Sequence, residues 1–284
     1  MKIAAVQFEI TGNKKYPDFI AQFESHIIEA KKNNAELVLF PELITVDLMP
    51  HVEGQETEIL KSIADSVTPK FFSRVQELAK KHEVAILGGT SPRFLNNKIV
   101  NTAILAFADG KTIYQDKIFP TPDEVIWGWQ GGSTLKVFNA PWGKTAILIC
   151  YDCEFPKLSD IIAKEKPEVI LVPSMTGSEQ GFHRVRWTAQ ARAIEHFAYV
   201  VHTGTVMTRK DAPPGHWLHY GQASFLGPQE AALTKITVEG EKLKPSIIYD
   251  TLDFSALRAG REKAGIYPAR EQEKRQTPIF VGHE

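Results

Sequence analysis

The stretch Thr145-Ala-Ile-Leu-Ile-Cys150-Tyr-Asp-Cys153 gives the first indication of both fold and chemistry in this 284-residue chain. Its apolar, β-branched first part predicts a buried strand that ends abruptly at Cys150. A thiol at the carboxyl end of a strand lies on a sharp turn at the sheet edge, where α/β folds form their pockets. The backbone N–H groups of such a turn can hold a negative oxygen. Buried, unreactive cysteines are also common, so this stretch alone leaves both roles open.

Two other predicted strands also end at a charged residue. The run Leu37-Val-Leu-Phe is followed by Pro41-Glu42, and Thr112-Ile-Tyr-Gln-Asp is followed by Lys117. Taken singly, the glutamate could begin a helix and the lysine could be an ordinary surface residue. Three strand ends that carry Glu, Lys and Cys, each bordered by apolar residues, favour a shared site instead.

The remaining pattern indicates an α/β fold. Short apolar runs alternate with longer amphipathic ones, and Ala108-Asp-Gly-Lys111 predicts a hairpin that pure βαβ winding would not contain. A mixed sheet, or two packed sheets with helices outside, fits this pattern. We expect one domain over residues 1–260. Residues 261–284 are expected to form a C-terminal tail that is disordered or lies at a subunit interface.

Composition excludes several classes of partner. The chain has 33 Lys and Arg against 34 Asp and Glu, which gives no reason to expect nucleic acid or an anionic membrane. No stretch approaches the roughly 18 apolar residues of a membrane span. The opening MKIAAVQFEI turns polar too early for a signal peptide, and only two cysteines are present. These features predict a cytoplasmic protein with reduced thiols.

The three motifs in order, Phe-Pro-Glu42, Asp-Lys117 and Ile-Cys150-Tyr-Asp, resemble the nitrilase superfamily of carbon–nitrogen hydrolases. The resemblance extends from Lys2 to about Asp253. It implies a four-layer αββα sandwich and a Glu-Lys-Cys triad. Glu42 would be the general base, Lys117 would stabilise the tetrahedral intermediate, and Cys150 would be the nucleophile.

The resemblance also implies further site residues. Many members of the superfamily carry a second glutamate in the loop after the lysine, and Glu124 stands in that place, with Asp123 beside it as the alternative. The strand over Val169–Pro173 should end at the pocket. The candidate substrate contacts are Tyr151, Ser174, Met175, Thr176 and Trp127.

The chemistry can be written without a metal or cofactor. The thiolate is the attacking form of cysteine, and a nearby Lys117 would favour it over the thiol. Glu42 could accept the proton during attack, and the oxyanion would lie between Lys117 and the Tyr151 N–H. The pair His216-x-x-His219 is poor evidence for a metal site, and a lone C-x-x-C pair is poor evidence for zinc.

The favoured function is hydrolysis of a small, non-peptide amide, because Tyr-Asp after the cysteine differs from the Trp-Glu typical of nitrilases. An N-carbamoyl amine hydrolase and a nitrilase remain alternatives within the superfamily. A thiol redox protein using Cys150 and Cys153, or a non-catalytic binding protein, are alternatives outside it. The expected partners are a small-molecule amide and further copies of the chain, as a homodimer or higher homo-oligomer.

Overall fold

The computed structural model describes residues 1–12, 14–48, 55–207, 218–230, 233 and 237–275. These residues form twelve strands: β1 (Lys2–Glu9), β2 (Leu37–Leu39), β3 (Ala85–Leu95), β4 (Lys98–Ala106), β5 (Thr112–Asp116), β6 (Val137–Ala140), β7 (Gly143–Ile147), β8 (Val169–Ser174), β9 (Tyr199–Val206), β10 (Ser224–Leu226), β11 (Thr237–Glu239) and β12 (Ser246–Thr251). Their eight α-helices are α1 (Tyr16–Lys32), α2 (Glu56–Ser62), α3 (Thr68–Lys81), α4 (Pro122–Ile126), α5 (Pro156–Ala163), α6 (Glu179–His196), α7 (Phe254–Lys263) and α8 (Pro268–Lys274).

The strands form a curled sheet of two halves. The order is β5-β4-β3-β2-β1-β9-β8-β7-β6, with β12 paired to β1 and with β10 paired to β9 and β11. The halves join where β1 meets β9 in parallel at Phe8–Thr205 and Glu9–Val206. Parallel pairs near the centre and antiparallel pairs at the ends make the sheet mixed, as predicted. The predicted hairpin at Asp109-Gly110 is also confirmed, between β4 and β5.

Alternation along β1 explains the layers. Ile3 and Ala5 belong to the core between the two halves, whereas Val6 and Phe8 face α1 and α3. Phe23 of α1 stacks on Phe40 with ring centroids 4.0 Å apart, within a cluster of buried phenylalanines. Each such buried side chain contributes about 1.5–3 kcal/mol to folding.

On the far side, α6 covers the second half-sheet with apolar side chains that include Val185, Ala189 and Ala193. The order from one surface to the other is helix, half-sheet, half-sheet, helix. The predicted αββα sandwich is therefore confirmed. Within the described residues, none of the helices combines the length and the apolar character that a bilayer crossing requires.

One predicted strand boundary differs from the structure, and helices are present beyond residue 260. Strand β7 ends at Ile147, and Cys150 begins a 3₁₀ turn, Cys150–Glu154, rather than ending the strand. Helix α7 crosses the predicted domain boundary at residue 260, and α8 follows it. The segment after residue 260 packs because it carries apolar anchors: Tyr267 is buried and lies 5.6 Å from Phe197 between ring centroids. Residues 276–284 lie outside the described residues.

Candidate active site

Three side chains from distant parts of the sequence meet where strands of the two half-sheets end. Glu42 follows β2, Lys117 follows β5, and Cys150 follows β7. The Lys117 Nζ lies 2.9 Å from Glu42 Oε1, and Cys150 lines the same cavity as these two residues. The exposed fractions are only 1% for Glu42, 2% for Lys117 and 5% for Cys150. The structure thus brings together the three residues that the sequence singled out.

The Glu42 carboxylate is held from several directions. Its Oε1 accepts hydrogen bonds from Lys117 Nζ and from Asn101 Nδ2 at 2.8 Å, and its Oε2 accepts one from the Met175 N–H at 2.9 Å. Burial raises the pKa of Glu42, and the neighbouring charge of Glu124 adds to this, while Lys117 acts in the opposite direction. A carboxylate with a raised pKa and a fixed orientation is suited to accept and return a proton.

Lys117 is bound by a second carboxylate. Its Nζ donates to Glu124 at 2.8 and 3.0 Å, in addition to Glu42. Burial opposes the charge of Lys117, but the two carboxylates outweigh burial and raise its pKa well above the usual value. Lys117 is therefore a fixed cation, since removing its proton would leave two buried carboxylates without a counter-charge.

Glu124, and not Asp123, is the second acid at Lys117. Glu124 is buried in α4, where Thr121 caps the helix and its backbone N–H donates to Glu124 Oε2 at 2.6 Å. Asp123 lines the same cavity but is exposed. The capping-box spacing of Thr121 and Glu124 is a local signal that distinguishes the two acids.

Cys150 lies in an unusual backbone conformation. Its φ is +48°, in the left-handed region that residues other than glycine seldom adopt. The thiol donates to the Met175 carbonyl oxygen at 3.5 Å. Such strain often marks functional sites, where the surrounding structure enforces it.

The protonation state of Cys150 differs from the sequence-based expectation. Burial and the charge of Glu42 raise the pKa of Cys150 well above its usual value, although Lys117 lowers it. We expected Lys117 to favour the thiolate, and it does so, but the other two effects are larger. The resting residue is therefore a thiol, and its proton must be removed as it reacts.

The second cysteine is separated from this chemistry. Cys153 is a fully buried, free thiol, and burial raises its pKa far above the usual value. Unlike Cys150, it does not line the cavity over the site. Cys153 is therefore a natural control for Cys150.

A cavity of about 750 Å³ opens over the three central residues. Four of the predicted substrate contacts line it: Tyr151, Met175, Thr176 and Trp127. Ser174 does not line the cavity, because β8 continues through this residue and keeps it paired with Gly204. Its carbonyl oxygen instead accepts a hydrogen bond from the Glu42 N–H at 3.3 Å.

Two residues of the site, Leu43 and Asn101, were not predicted. Leu43 forms part of an apolar wall of the cavity together with Trp129. Asn101 reaches Glu42 from within β4, and its segment carries no local signal of a polar site. Of the histidine pair, His219 Nδ1 lies 3.0 Å from Thr205 Oγ1, and His216 falls outside the described residues.

Comparisons with known proteins agree with this geometry. The carbon-nitrogen hydrolase family matches residues 2–262. The chain is 30% identical over 278 residues to the probable hydrolase YhcX of Bacillus subtilis, covering 96% of this chain but only 54% of that relative, about half its length. It is 22% identical over 274 residues to the omega-amidase NIT2 of Mus musculus, covering 93% of each chain.

Among solved structures, the chain is similar to an amidase from Nesterenkonia sp.. The TM-score is 0.72 at 20% identity, over 93% of this chain and 94% of that one. This likeness concerns the fold. With the family match over most of its length, the chain belongs to the carbon-nitrogen hydrolase family.

Proposed function

We propose that this protein hydrolyses the amide of a small acid through a thioester on Cys150. The observation that carries the proposal is the meeting of three buried groups at one cavity: the Cys150 thiol, the Glu42 carboxylate, and a lysine 2.9 Å from that carboxylate. A nucleophile, a base within reach of its proton and a fixed cation for a developing oxyanion are the parts that acyl transfer requires.

In the proposed acylation step, the Cys150 sulfur attacks the carbonyl carbon while its proton passes to Glu42. The carbonyl oxygen becomes an oxyanion between the Lys117 ammonium and the Tyr151 N–H. Glu42 then returns the proton to the leaving nitrogen, the carbon–nitrogen bond breaks, and ammonia or an amine departs. The raised pKa of the Glu42 carboxyl suits both halves of this proton transfer.

In the proposed deacylation step, water attacks the thioester carbon and gives its proton to Glu42. The tetrahedral intermediate collapses, the carbon–sulfur bond breaks, and the proton returns to the sulfur. The acid leaves, and Cys150 is again a thiol. Glu124 supports both steps by holding Lys117 in place at 2.8 and 3.0 Å.

The cavity favours a small substrate with an apolar part. Leu43, Trp127, Trp129 and Met175 share one hydrophobic cluster and all line the cavity. Such a wall suits an acyl chain, while the polar groups orient the carbonyl. The names of the amidase relatives support an amide over a nitrile.

The test is intact-protein mass spectrometry after incubation with primary amides, N-carbamoyl amines and nitriles. We expect a mass increase equal to the acyl group with a primary amide, and release of ammonia. Cys150→Ala should abolish both, whereas the matched change Cys153→Ala should keep most of the turnover. Equal loss in the two variants, or turnover by Cys150→Ala, would show the assignment to be wrong.

A further inference from the structure

Asp152 lies between the two segments that carry the lysine and the cysteine. Its carboxylate is only 1% exposed and accepts hydrogen bonds from three backbone N–H groups. Oδ1 accepts from Phe119 at 2.9 Å and from Ile118 at 3.1 Å. Oδ2 accepts from Ile149 at 3.3 Å.

The three N–H donors belong to the segments that carry Lys117 and Cys150. Ile118 directly follows Lys117, and Ile149 directly precedes Cys150. One carboxylate therefore ties the chain after β5, in one half-sheet, to the turn after β7, in the other half-sheet. The same contact braces the backbone at Cys150, whose positive φ would otherwise relax toward a commoner conformation.

We propose that Asp152 is a positioning residue that fixes the Cys150 turn relative to Lys117 and Glu42. The inference rests on the proposed function for its effect on turnover, but the geometry it describes does not. Asp152 does not line the cavity, so it acts through the residues beside it and not on the substrate.

The number of donors explains why a carboxylate is suited to this position. An ionised Asp152 offers two oxygens and no donor, which matches three converging N–H groups. Asparagine has the same size but replaces one oxygen with an NH₂ group. That group would face a backbone N–H, so at least one of the three hydrogen bonds would be lost.

The protein offers a matched control at the opposite end of β7. Glu168 is buried, and its Oε2 accepts a hydrogen bond from the Lys144 N–H at 3.0 Å while the side chain pairs with Arg258. Glu168→Gln removes a buried carboxylate from the same half-sheet and breaks a comparable tie. It lies away from the residues that line the cavity.

The experiment compares Asp152→Asn, Asp152→Glu and Glu168→Gln in the full chain, after thermal unfolding has established that each variant folds. Burial raises the pKa of Asp152 to about 7, so turnover is measured at about pH 8, where the carboxylate is the main form. The substrate is the amide that the mass-spectrometry screen identifies. With it, we expect kcat to fall by about 10- to 100-fold in both Asp152 variants, and KM to stay within threefold of the wild-type value. Asp152→Glu keeps the charge and both oxygens but moves them by one methylene. A fall in kcat in this variant would therefore come from the position of the carboxylate and not from its charge. Glu168→Gln should keep kcat within threefold.

A second measurement does not depend on amide turnover. It is the rate of Cys150 alkylation by iodoacetamide, measured as a function of pH. This pH profile should be displaced along the pH axis in both Asp152 variants and unchanged in Glu168→Gln. Displaced profiles with no wild-type amide turnover would reject the proposed function and keep the positioning role. Superimposable profiles, or full kcat in Asp152→Glu, would overturn the positioning role.

Discussion

Replacing Glu42 by glutamine should change two rates at Cys150 in opposite directions. Without the carboxylate, no group accepts the thiol proton during attack on an amide. A positioned general base contributes roughly 10²- to 10⁴-fold to such a step, which corresponds to about 3–5 kcal/mol of barrier. We therefore expect the turnover of Glu42→Gln to fall by at least about 100-fold.

Alkylation of the thiol should respond in the other sense. The charge of Glu42 is one of the causes that raise the pKa of Cys150, and Lys117 lowers it. Glutamine removes the first effect and keeps the second, so the pKa of Cys150 should fall. The thiolate fraction near neutral pH should then rise, and iodoacetamide should react faster than with the wild type.

The variant should remain folded, because Glu124 still pairs with Lys117 at 2.8 and 3.0 Å. The amide of glutamine would face the Met175 N–H, now at 2.9 Å from Glu42 Oε2, at a cost of about 1–3 kcal/mol. Glu24→Gln is a suitable control, since the half-buried Glu24 pairs with Lys81 at 2.7 Å and does not line the cavity. Turnover within threefold of the wild type, or a rise in the pKa of Cys150, would refute the reasoning.

Two further predictions concern charge at the site and in the core. Glu124→Gln should lower turnover about tenfold or more, because Lys117 loses one of its two carboxylates. The control is Asp123→Asn, which changes the exposed neighbouring residue. Equal loss of turnover in the two variants would contradict the assignment of Glu124. His202 is buried, and burial lowers its pKa to about 3. Below about pH 6.5 the unfolded chain therefore binds a proton at this residue, while the folded chain does not. The free energy of unfolding consequently falls as the pH falls. His202→Leu should reduce the change of unfolding free energy with pH by up to about 1.4 kcal/mol per pH unit, as measured by urea unfolding at pH 7 and pH 5. The same pH dependence in the variant and the wild type would contradict this prediction.

The sequence predicted the parts of the site that follow strands. Glu42, Lys117 and Cys150 could be found because each follows a predicted strand, and strand ends meet at sheet edges. The four-layer αββα arrangement, by contrast, was expected from the resemblance to the nitrilase superfamily, because the local patterns alone left a mixed sheet and two packed sheets as alternatives.

What the sequence could not predict depends on contacts between distant segments. Asn101 lies in the middle of β4, and only the curled sheet brings its amide to Glu42. The pKa of Cys150 is raised mainly by its burial in the finished fold, and the residue types alone do not show how deep that burial is. The positive φ of Cys150 is likewise imposed by the surrounding structure and has no signature in the residue types.

The division of the sheet into two halves has a consequence for the chain before it is fully folded. The base and the lysine belong to the half that contains β2 and β5, whereas the sulfur belongs to the half that contains β7. In the described structure the halves pair directly through two residues of β1, Phe8 and Glu9. A nascent or partly unfolded chain therefore carries an ordinary cysteine that lacks its base. An acyl donor that labels only the completed site would react with correctly folded molecules alone. The fraction of chains acylated at Cys150 would therefore measure the fraction that is correctly folded.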